Sequence, residues 1–171
     1  MINVAILDYG TGNIASLASA LRKINAKATL VNNFKDISKA DALILPGVGH
    51  YGHALNNLKK NSLIDPILKL ITEGLPTLGI CLGFQLLTIS SQESHDAPGL
   101  GILPLKTTRI KQNDHKIYKT PHIGWNLISK TKGKSKLLNK IPANSRLFYY
   151  CNAYGVDISK NFNGIYAEYT H

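Results

Sequence analysis

The residues best suited to chemistry lie in Gly79-Ile80-Cys81-Leu82-Gly83, where one cysteine stands between two glycines as an apolar strand gives way to a helix. Leu75 to Ile80, opened by Pro76, reads as a short buried strand, and Phe84 to Ile89 has helical character with no breaker. Gly79 and Gly83 permit the crowded turn of a Gly-x-nucleophile-x-Gly elbow, which lifts its central side chain above the sheet edge. At a helix start the Cys81 sulfur also meets unpaired N–H groups and the positive end of the helix dipole, which favour thiolate over thiol. The Leu82 N–H is then positioned to donate to an oxyanion formed on a substrate that Cys81 attacks. The competing reading is a small core residue, because free cysteine is among the most buried residue types.

Three other segments carry candidate chemistry. In Ile44-Leu45-Pro46-Gly47-Val48-Gly49-His50-Tyr51-Gly52, Pro46 and three glycines follow an apolar strand near Asp41 to Leu45. They form a loop whose backbone can approach a ligand closely, with N–H groups to complete an oxyanion hole. Taken alone, that loop also fits an ordinary strand-to-helix turn. Asp8-Tyr9-Gly10-Thr11-Gly12-Asn13 is a glycine turn after the first strand, without the lysine of a phosphate loop or the full glycine spacing of a dinucleotide fingerprint. Pro121-His122-Ile123-Gly124-Trp125-Asn126 holds the single tryptophan.

These segments need a scaffold that brings strand ends together. Strands are expected near residues 2–7, 27–31, 41–45 and 76–80, alternating with helices near 13–24, 51–60, 63–73 and 83–90. That alternation predicts right-handed βαβ units and an open, mainly parallel α/β sheet with helices on both faces. Cys81 then sits at a strand's carboxyl end, where such sheets place ligands. After Pro98 short strands are expected near 104–111, 115–120, 123–128, 146–151 and 163–169, adding antiparallel or mixed sheet without an obvious linker. A chain of 171 residues with 44% hydrophobic content suits one domain, residues 1–171, with a sizeable core.

Composition narrows the function classes. No apolar run approaches the length of a membrane span, and Met1-Ile2-Asn3 leads directly into a strand with no basic, cleavable leader. Two cysteines without a disulfide pattern fit a reducing cytoplasm, and Cys151 reads as a core residue on an apolar strand. The formal charge is +10, but the lysines are scattered, and Lys130, Lys132, Lys134 and Lys136 are interleaved with no aromatics. A solvated loop accounts for that cluster better than nucleic-acid binding, which favours aromatics or a basic helix. Excess positive charge remains suited to an acidic partner face. No metal or cofactor is expected.

Taken in order, the four segments resemble the glutamine amidotransferase subunit of imidazole glycerol phosphate synthase, a triad-type (class I) amidotransferase family. The resemblance rests on Asp8-Tyr9-Gly10 with Gly12-Asn13, on Pro46-Gly47-Val48-Gly49 followed by Tyr51-Gly52, on Gly79 to Leu87, and on Pro121-His122 with Gly124-Trp125-Asn126. Gly99-Leu100-Gly101-Ile102-Leu103-Pro104 is also similar to the family's segment after the elbow helix. The resemblance runs from Met1 to His171 and implies the flavodoxin-like fold of class I amidotransferases. By it, Cys81 attacks the side-chain amide of glutamine, and ammonia leaves as a thioester forms. Val48, Gly49 and Leu82 are the implied oxyanion donors, and Gln85 contacts substrate, with Asn152, Ala153 and Tyr154 at the matching substrate-side segment. Asn13, Trp125 and Tyr149 match positions facing a (β/α)₈ cyclase partner. That partner uses the ammonia to make imidazole glycerol phosphate and releases aminoimidazole carboxamide ribotide.

Two departures qualify those expectations. The family completes its triad with a His and a Glu in a C-terminal Gln-Phe-His-Pro-Glu-Lys-Ser motif. The chain stops at His171 without one, so the domain is expected to be C-terminally incomplete and a poor glutaminase as it stands. His50, His53, His95, His115, His122 and His171 are the available imidazoles, and none has a His-Pro-Glu context. Asn152 and Ala153 stand where the family carries His and Ser or Thr; asparagine keeps hydrogen bonding but cannot titrate near neutral pH. Two alternatives stand beside the leading function. One is an amidotransferase serving a related cyclase-like partner in sugar modification, and the other is a non-catalytic subunit that only binds the cyclase.

Overall fold

Short apolar strands and amphipathic helices alternate through the first hundred residues, and the computed structural model shows what they build. It describes residues 1–110, 120–128, 130–132, 137–156, 158 and 166–168. Two compact units emerge, Met1–Thr107 and Thr108–His171.

The first unit runs β1 (Asn3–Leu7), α1 (Ile14–Lys23), β2 (Lys27–Val31), α2 (Phe34–Ile37), β3 (Ala42–Leu45), α3 (Tyr51–Lys60), α4 (Ile64–Thr72), β4 (Thr77–Gly79) and α5 (Leu82–Leu86). All pairings among β1 to β4 are parallel, in the order β2-β1-β3-β4. Ala5, Ile6 and Leu7 are almost wholly buried, as expected of a central parallel strand covered on both faces. Tyr51, Leu55, Leu58, Leu63 and Ile67 from α3, α4 and their junction meet Leu43, Leu45, Leu82 and Leu86 in one core. Leu7, Leu45 and Gly79 end adjacent strands at the same edge, so the three candidate loops after β1, β3 and β4 leave the sheet together.

The elbow helix is shorter than the sequence suggests. Phe84 to Ile89 is expected as one helix, but α5 ends at Leu86 and Thr88–Ser91 forms β5. The returning chain takes the carbonyls that would have capped a longer helix: Leu100 N–H donates to Leu86 O at 2.8 Å, Leu103 N–H to Leu87 O at 2.8 Å and Gly101 N–H to Thr88 O at 3.1 Å. Gly99 makes this approach possible, because a Cβ there would lie within 2.2 Å of Thr88 O. β5 pairs antiparallel with β6 (Ala97–Pro98) and parallel with β7 (Leu103–Arg109), giving a mixed sheet.

In the second unit β8 (His122–Leu127), β9 (Lys130–Lys132), β10 (Leu147–Asn152), β11 (Tyr154–Val156) and β12 (Tyr166–Glu168) follow. β8 and β10 form an antiparallel ribbon in which Trp125 faces Tyr149 and Asn152 faces His122. Lys130 to Lys132, expected in a loop, pair as a strand with Tyr166 to Glu168, a long-range partner that no local pattern announces. The expected strand near 115–120, His115, Lys134, Lys136 and His171 lie outside the described residues, Thr120 excepted. No helix among the described residues is long and apolar enough to cross a membrane.

Candidate active site

Cys81 is exposed and adopts φ +53° and ψ −113°. A non-glycine residue with positive φ is costly, on the order of 1–3 kcal/mol, and persists only where its surroundings enforce it. Here the enforcement is steric. A Cβ on Gly79 would lie 2.6 Å from Phe84 Cα, and one on Gly83 would lie 1.9 Å from Leu45 O. The first turn of α5 therefore packs backbone against backbone, against both its own strand and the end of β3. Two hydrogen bonds secure the bend, from Ile80 N–H to Leu45 O and from Gly83 N–H to Ile80 O, each 2.9 Å.

The same packing delivers the glycine loop after β3. A Cβ on Gly47 would meet Leu82 Cβ and the Tyr9 hydroxyl at 2.8 Å and Gly83 N at 3.0 Å, so Pro46-Gly47 lies directly on the start of α5. Beyond it Val48 is 60% exposed, and Gly49, at φ +110°, has open space where a side chain would be. The backbone N–H groups of Val48, Gly49 and Leu82 donate to no other described residue. Unpaired donors beside an exposed thiol are the components from which an oxyanion site is built.

The glycine turn after β1 closes the far side of the loop. Gly12, at φ +110°, places its Cα against the Pro46 ring, and the buried Tyr9 hydroxyl donates a short hydrogen bond to Pro46 O. Asn57 of α3 holds the Tyr9 carbonyl through its Nδ2 at 2.9 Å. Burial pushes the Tyr9 hydroxyl above its ordinary pKa, and the negative charge of an ionised Cys81 adds to that shift. Tyr9 thus remains a protonated donor. Its part was invisible in the sequence, although it stands inside the Asp-Tyr-Gly turn; only the fold brings residue 9 to residue 46.

Other expected site residues are distributed more widely. Gln85 sits half-buried on α5, one turn beyond Cys81. Asn152, Ala153 and Tyr154 lie half-buried on β10, β11 and the residue between them, where Ala153 O accepts from Ile110 N–H at 3.0 Å. Asn13 is the exposed N-cap of α1, its side-chain oxygen accepting from Ser16 N–H at 3.3 Å. His50 caps α3 through Nδ1, and His53 stacks obliquely beside it with ring centroids 5.4 Å apart. His122 Nε2 lies 2.7 Å from Asn126 Oδ1 on β8. His95 takes the left-handed conformation in the turn after Ser94.

The β8–β10 ribbon overturns one expectation and sharpens another. Ile123, Trp125 and Leu127 share a face with Leu147, Tyr149 and Cys151, and all six are exposed. Cys151 is therefore a surface residue, because strand alternation places it on the ribbon's open face. Trp125 is 65% and Tyr149 56% exposed, and their rings meet edge to face at 5.6 Å.

Comparison with known proteins shows the family. The family described as glutamine amidotransferase class-I matches residues 5–158. The chain is 44% identical over 154 residues to imidazole glycerol phosphate synthase subunit HisH 2 of Methanococcus maripaludis, covering 90% of this chain and 74% of that one. It is 38% identical to subunit HisH of Bacillus subtilis, covering 90% and 72% respectively. It is also 37% identical to imidazole glycerol phosphate synthase hisHF of Emericella nidulans, of which it spans 28%. Among solved structures, one described as a glutamine amidotransferase aligns with a TM-score of 0.59 at 21% identity over 73% of this chain and 64% of that chain. A putative GMP synthase subunit from Thermoplasma acidophilum aligns at 0.60 and 15% identity, over 95% of this chain and 68% of that one. The fold is thus the α/β fold of class I amidotransferases, and the chain belongs to the class-I glutamine amidotransferases, within the family of imidazole glycerol phosphate synthase HisH subunits.

Proposed function

We propose that this chain is the glutaminase subunit of an imidazole glycerol phosphate synthase, with Cys81 as nucleophile. The Cys81 thiolate attacks the side-chain amide carbon of glutamine. The backbone N–H groups of Leu82 and of the Val48–Gly49 loop receive the oxyanion. Collapse of the tetrahedral intermediate breaks the C–N bond, the departing nitrogen takes a proton, and ammonia leaves a γ-glutamyl thioester. Water then hydrolyses the thioester to glutamate and restores the thiol. Gln85 contacts the glutamine. The resemblance assigns the base and its orienting acid to a His-Pro-Glu motif, which residues 1–171 do not contain. Both compact units belong to one amidotransferase domain, working in the cytoplasm.

The observation that carries this reading is the close packing of Gly47 on Leu82 and Gly83, which sets a loop whose N–H groups have no partner among the described residues beside an exposed, positive-φ cysteine. Ammonia passes to a (β/α)₈ cyclase partner in a heterodimer, for synthesis of imidazole glycerol phosphate in histidine biosynthesis. Exposure of Trp125 and Tyr149 supports that docking, because desolvated aromatic pairs are common interface anchors.

The test uses the protein isolated from its own source with its partner, its intact mass compared with 18.7 kDa. Glutamate release from glutamine is expected, together with its loss in Cys81→Ala. Turnover retained by Cys81→Ala would overturn the nucleophile assignment. A partner-bound protein of 18.7 kDa that neither turns over glutamine nor labels Cys81 with a thiol-directed glutamine analogue would favour the binding-only reading.

A further inference from the structure

We propose that Glu93 is a positioning residue that anchors the downstream end of the Val48–Gly49 loop, and so holds the oxyanion donors in register with Cys81. The proposal rests on the glutaminase reading above. The loop has two ends, and each is tied to a different part of the first unit. Upstream, the Tyr9 hydroxyl holds Pro46 O. Downstream, a Glu93 carboxylate oxygen accepts the Tyr51 N–H at 2.8 Å, across 42 residues of sequence. Past the packed Gly47 the chain is loosely held: Val48 is exposed, Gly49 touches nothing through a side-chain position, and His50 accepts from Gly52 N–H at 3.1 Å and, through its carbonyl, from Ala54 N–H at 3.2 Å.

The anchor is built, not incidental. Tyr51 N–H is one of the donors that a helix leaves unpaired in its first turn, and a carboxylate there gains both a charge-assisted hydrogen bond and the favourable end of the α3 dipole. Glu93 belongs to the 3₁₀ turn Gln92–Ser94, whose start is fixed by Ser91 Oγ accepting Glu93 N–H at 3.2 Å. His95 and Asp96 follow with φ of +52° and +58°, two consecutive left-handed residues. The turn is pressed onto α3 so tightly that a Cβ on Gly52 would meet Ser94 Oγ at 2.8 Å. Local strain maintained at such a contact implies that the contact is enforced by its surroundings. The Tyr51 side chain is wholly buried, so the residue whose backbone N–H is anchored is itself fixed in the core. Because α5 runs directly into β5 and then this turn, one continuous segment supplies the nucleophile, one oxyanion donor and the clamp on the loop carrying the others.

The test compares Glu93→Leu, which removes the acceptor, with Glu93→Gln, whose amide oxygen can still accept. Kinetics are measured on the partner-bound protein, alongside the rate at which iodoacetamide alkylates Cys81, a displacement that forms no oxyanion. Misplacing an oxyanion donor costs on the order of 10²-fold. Glu93→Leu is therefore expected to lower kcat roughly 10- to 100-fold with KM within about 3-fold and alkylation within about 2-fold, and Glu93→Gln to recover most of kcat. Unchanged kcat, an equal fall in turnover and alkylation, or a rise in KM alone would overturn the proposal; the last would make Glu93 a substrate contact. Amide hydrogen exchange separates this proposal from the glutaminase reading. If the wild type hydrolyses no glutamine, that reading fails. The anchor still stands if Glu93→Leu speeds exchange at the bonded Tyr51 and Gly52 amides while those of Gly83 and Gln85 stay protected, and falls if exchange at Tyr51 and Gly52 is unchanged.

Discussion

Replacing Gly83 by alanine is the sharpest perturbation of this site. The added Cβ would fall 1.9 Å from Leu45 O, 2.6 Å from Leu45 C and 2.9 Å from Pro46 O, whereas real Cβ atoms essentially never come under 3.0 Å. All three opposing atoms are backbone, so no side chain can rotate away, and about 1 Å of movement must be found in the β3 end or the α5 start. Overpacking of this kind costs roughly 1–3 kcal/mol. Leu45 O also accepts the Ile80 N–H, and losing that bond adds about 1 kcal/mol. A shift of about 1 Å between Pro46 and Cys81 separates the thiol from the N–H groups of Val48 and Gly49, worth on the order of 10²-fold in turnover. Gly74 is the control: it has φ +97° and open space around it, so alanine there incurs only the left-handed penalty of about 1–2 kcal/mol. Urea unfolding and glutamine turnover are measured for both variants. Gly83→Ala is expected to lose roughly 2–4 kcal/mol and most activity, and Gly74→Ala to keep full kcat. A Gly83→Ala protein as stable and active as Gly74→Ala would show that the close packing does not order this site.

Tyr9→Phe leaves Pro46 O without its donor while preserving the buried ring; a stability loss of about 1–2 kcal/mol and a fall in kcat at unchanged KM are expected, and unchanged kinetics would remove Tyr9 as the upstream anchor. Tyr51→Phe is expected to be neutral or to gain up to about 1 kcal/mol, because the buried Tyr51 hydroxyl has no partner among the described residues; a loss above about 1 kcal/mol in urea unfolding would contradict that. Burial raises the Tyr51 hydroxyl to about 12. The unfolded chain therefore releases that proton first, and stability falls as pH rises from about 10 towards about 12. Tyr51→Phe should make this alkaline loss shallower, as read from unfolding midpoints over that range. Trp125→Ala is expected to weaken cyclase binding while leaving the circular dichroism of the isolated chain unchanged, and equal affinities would exclude Trp125 as an anchor.

Local pattern was enough to locate most elements. β2 and α3 fall at Lys27–Val31 and Tyr51–Lys60, where they are expected, and in α3 the buried Tyr51, Ala54, Leu55 and Leu58 repeat with the period of the helix. The Gly-x-Cys-x-Gly elbow was equally legible, since few residue combinations tolerate such crowding. Errors arise where distant segments compete for backbone groups. No breaker stops α5 at Thr88 and Ile89, but both are β-branched, which favours strand, and the carbonyls of Leu86 and Leu87 are taken by residues 100 and 103. Lys130 to Lys132 become a strand only because Tyr166 to Glu168 supplies an edge.

Sequence by itself determined the nucleophile candidate, the glycine loops and the alternation of β1 to β4 with α1, α3 and α4, because each depends on residue type and short-range periodicity, whereas α2, β5, β6 and β9 emerged only in the fold. Tertiary structure alone decided that Tyr9 reaches Pro46, that Glu93 reaches Tyr51, and that Cys151 lies outside with Trp125 and Tyr149. Those outcomes depend on which strand ends become neighbours and on the register of strand pairing. Both are set by the packing of the whole sheet, for which no single segment holds the information.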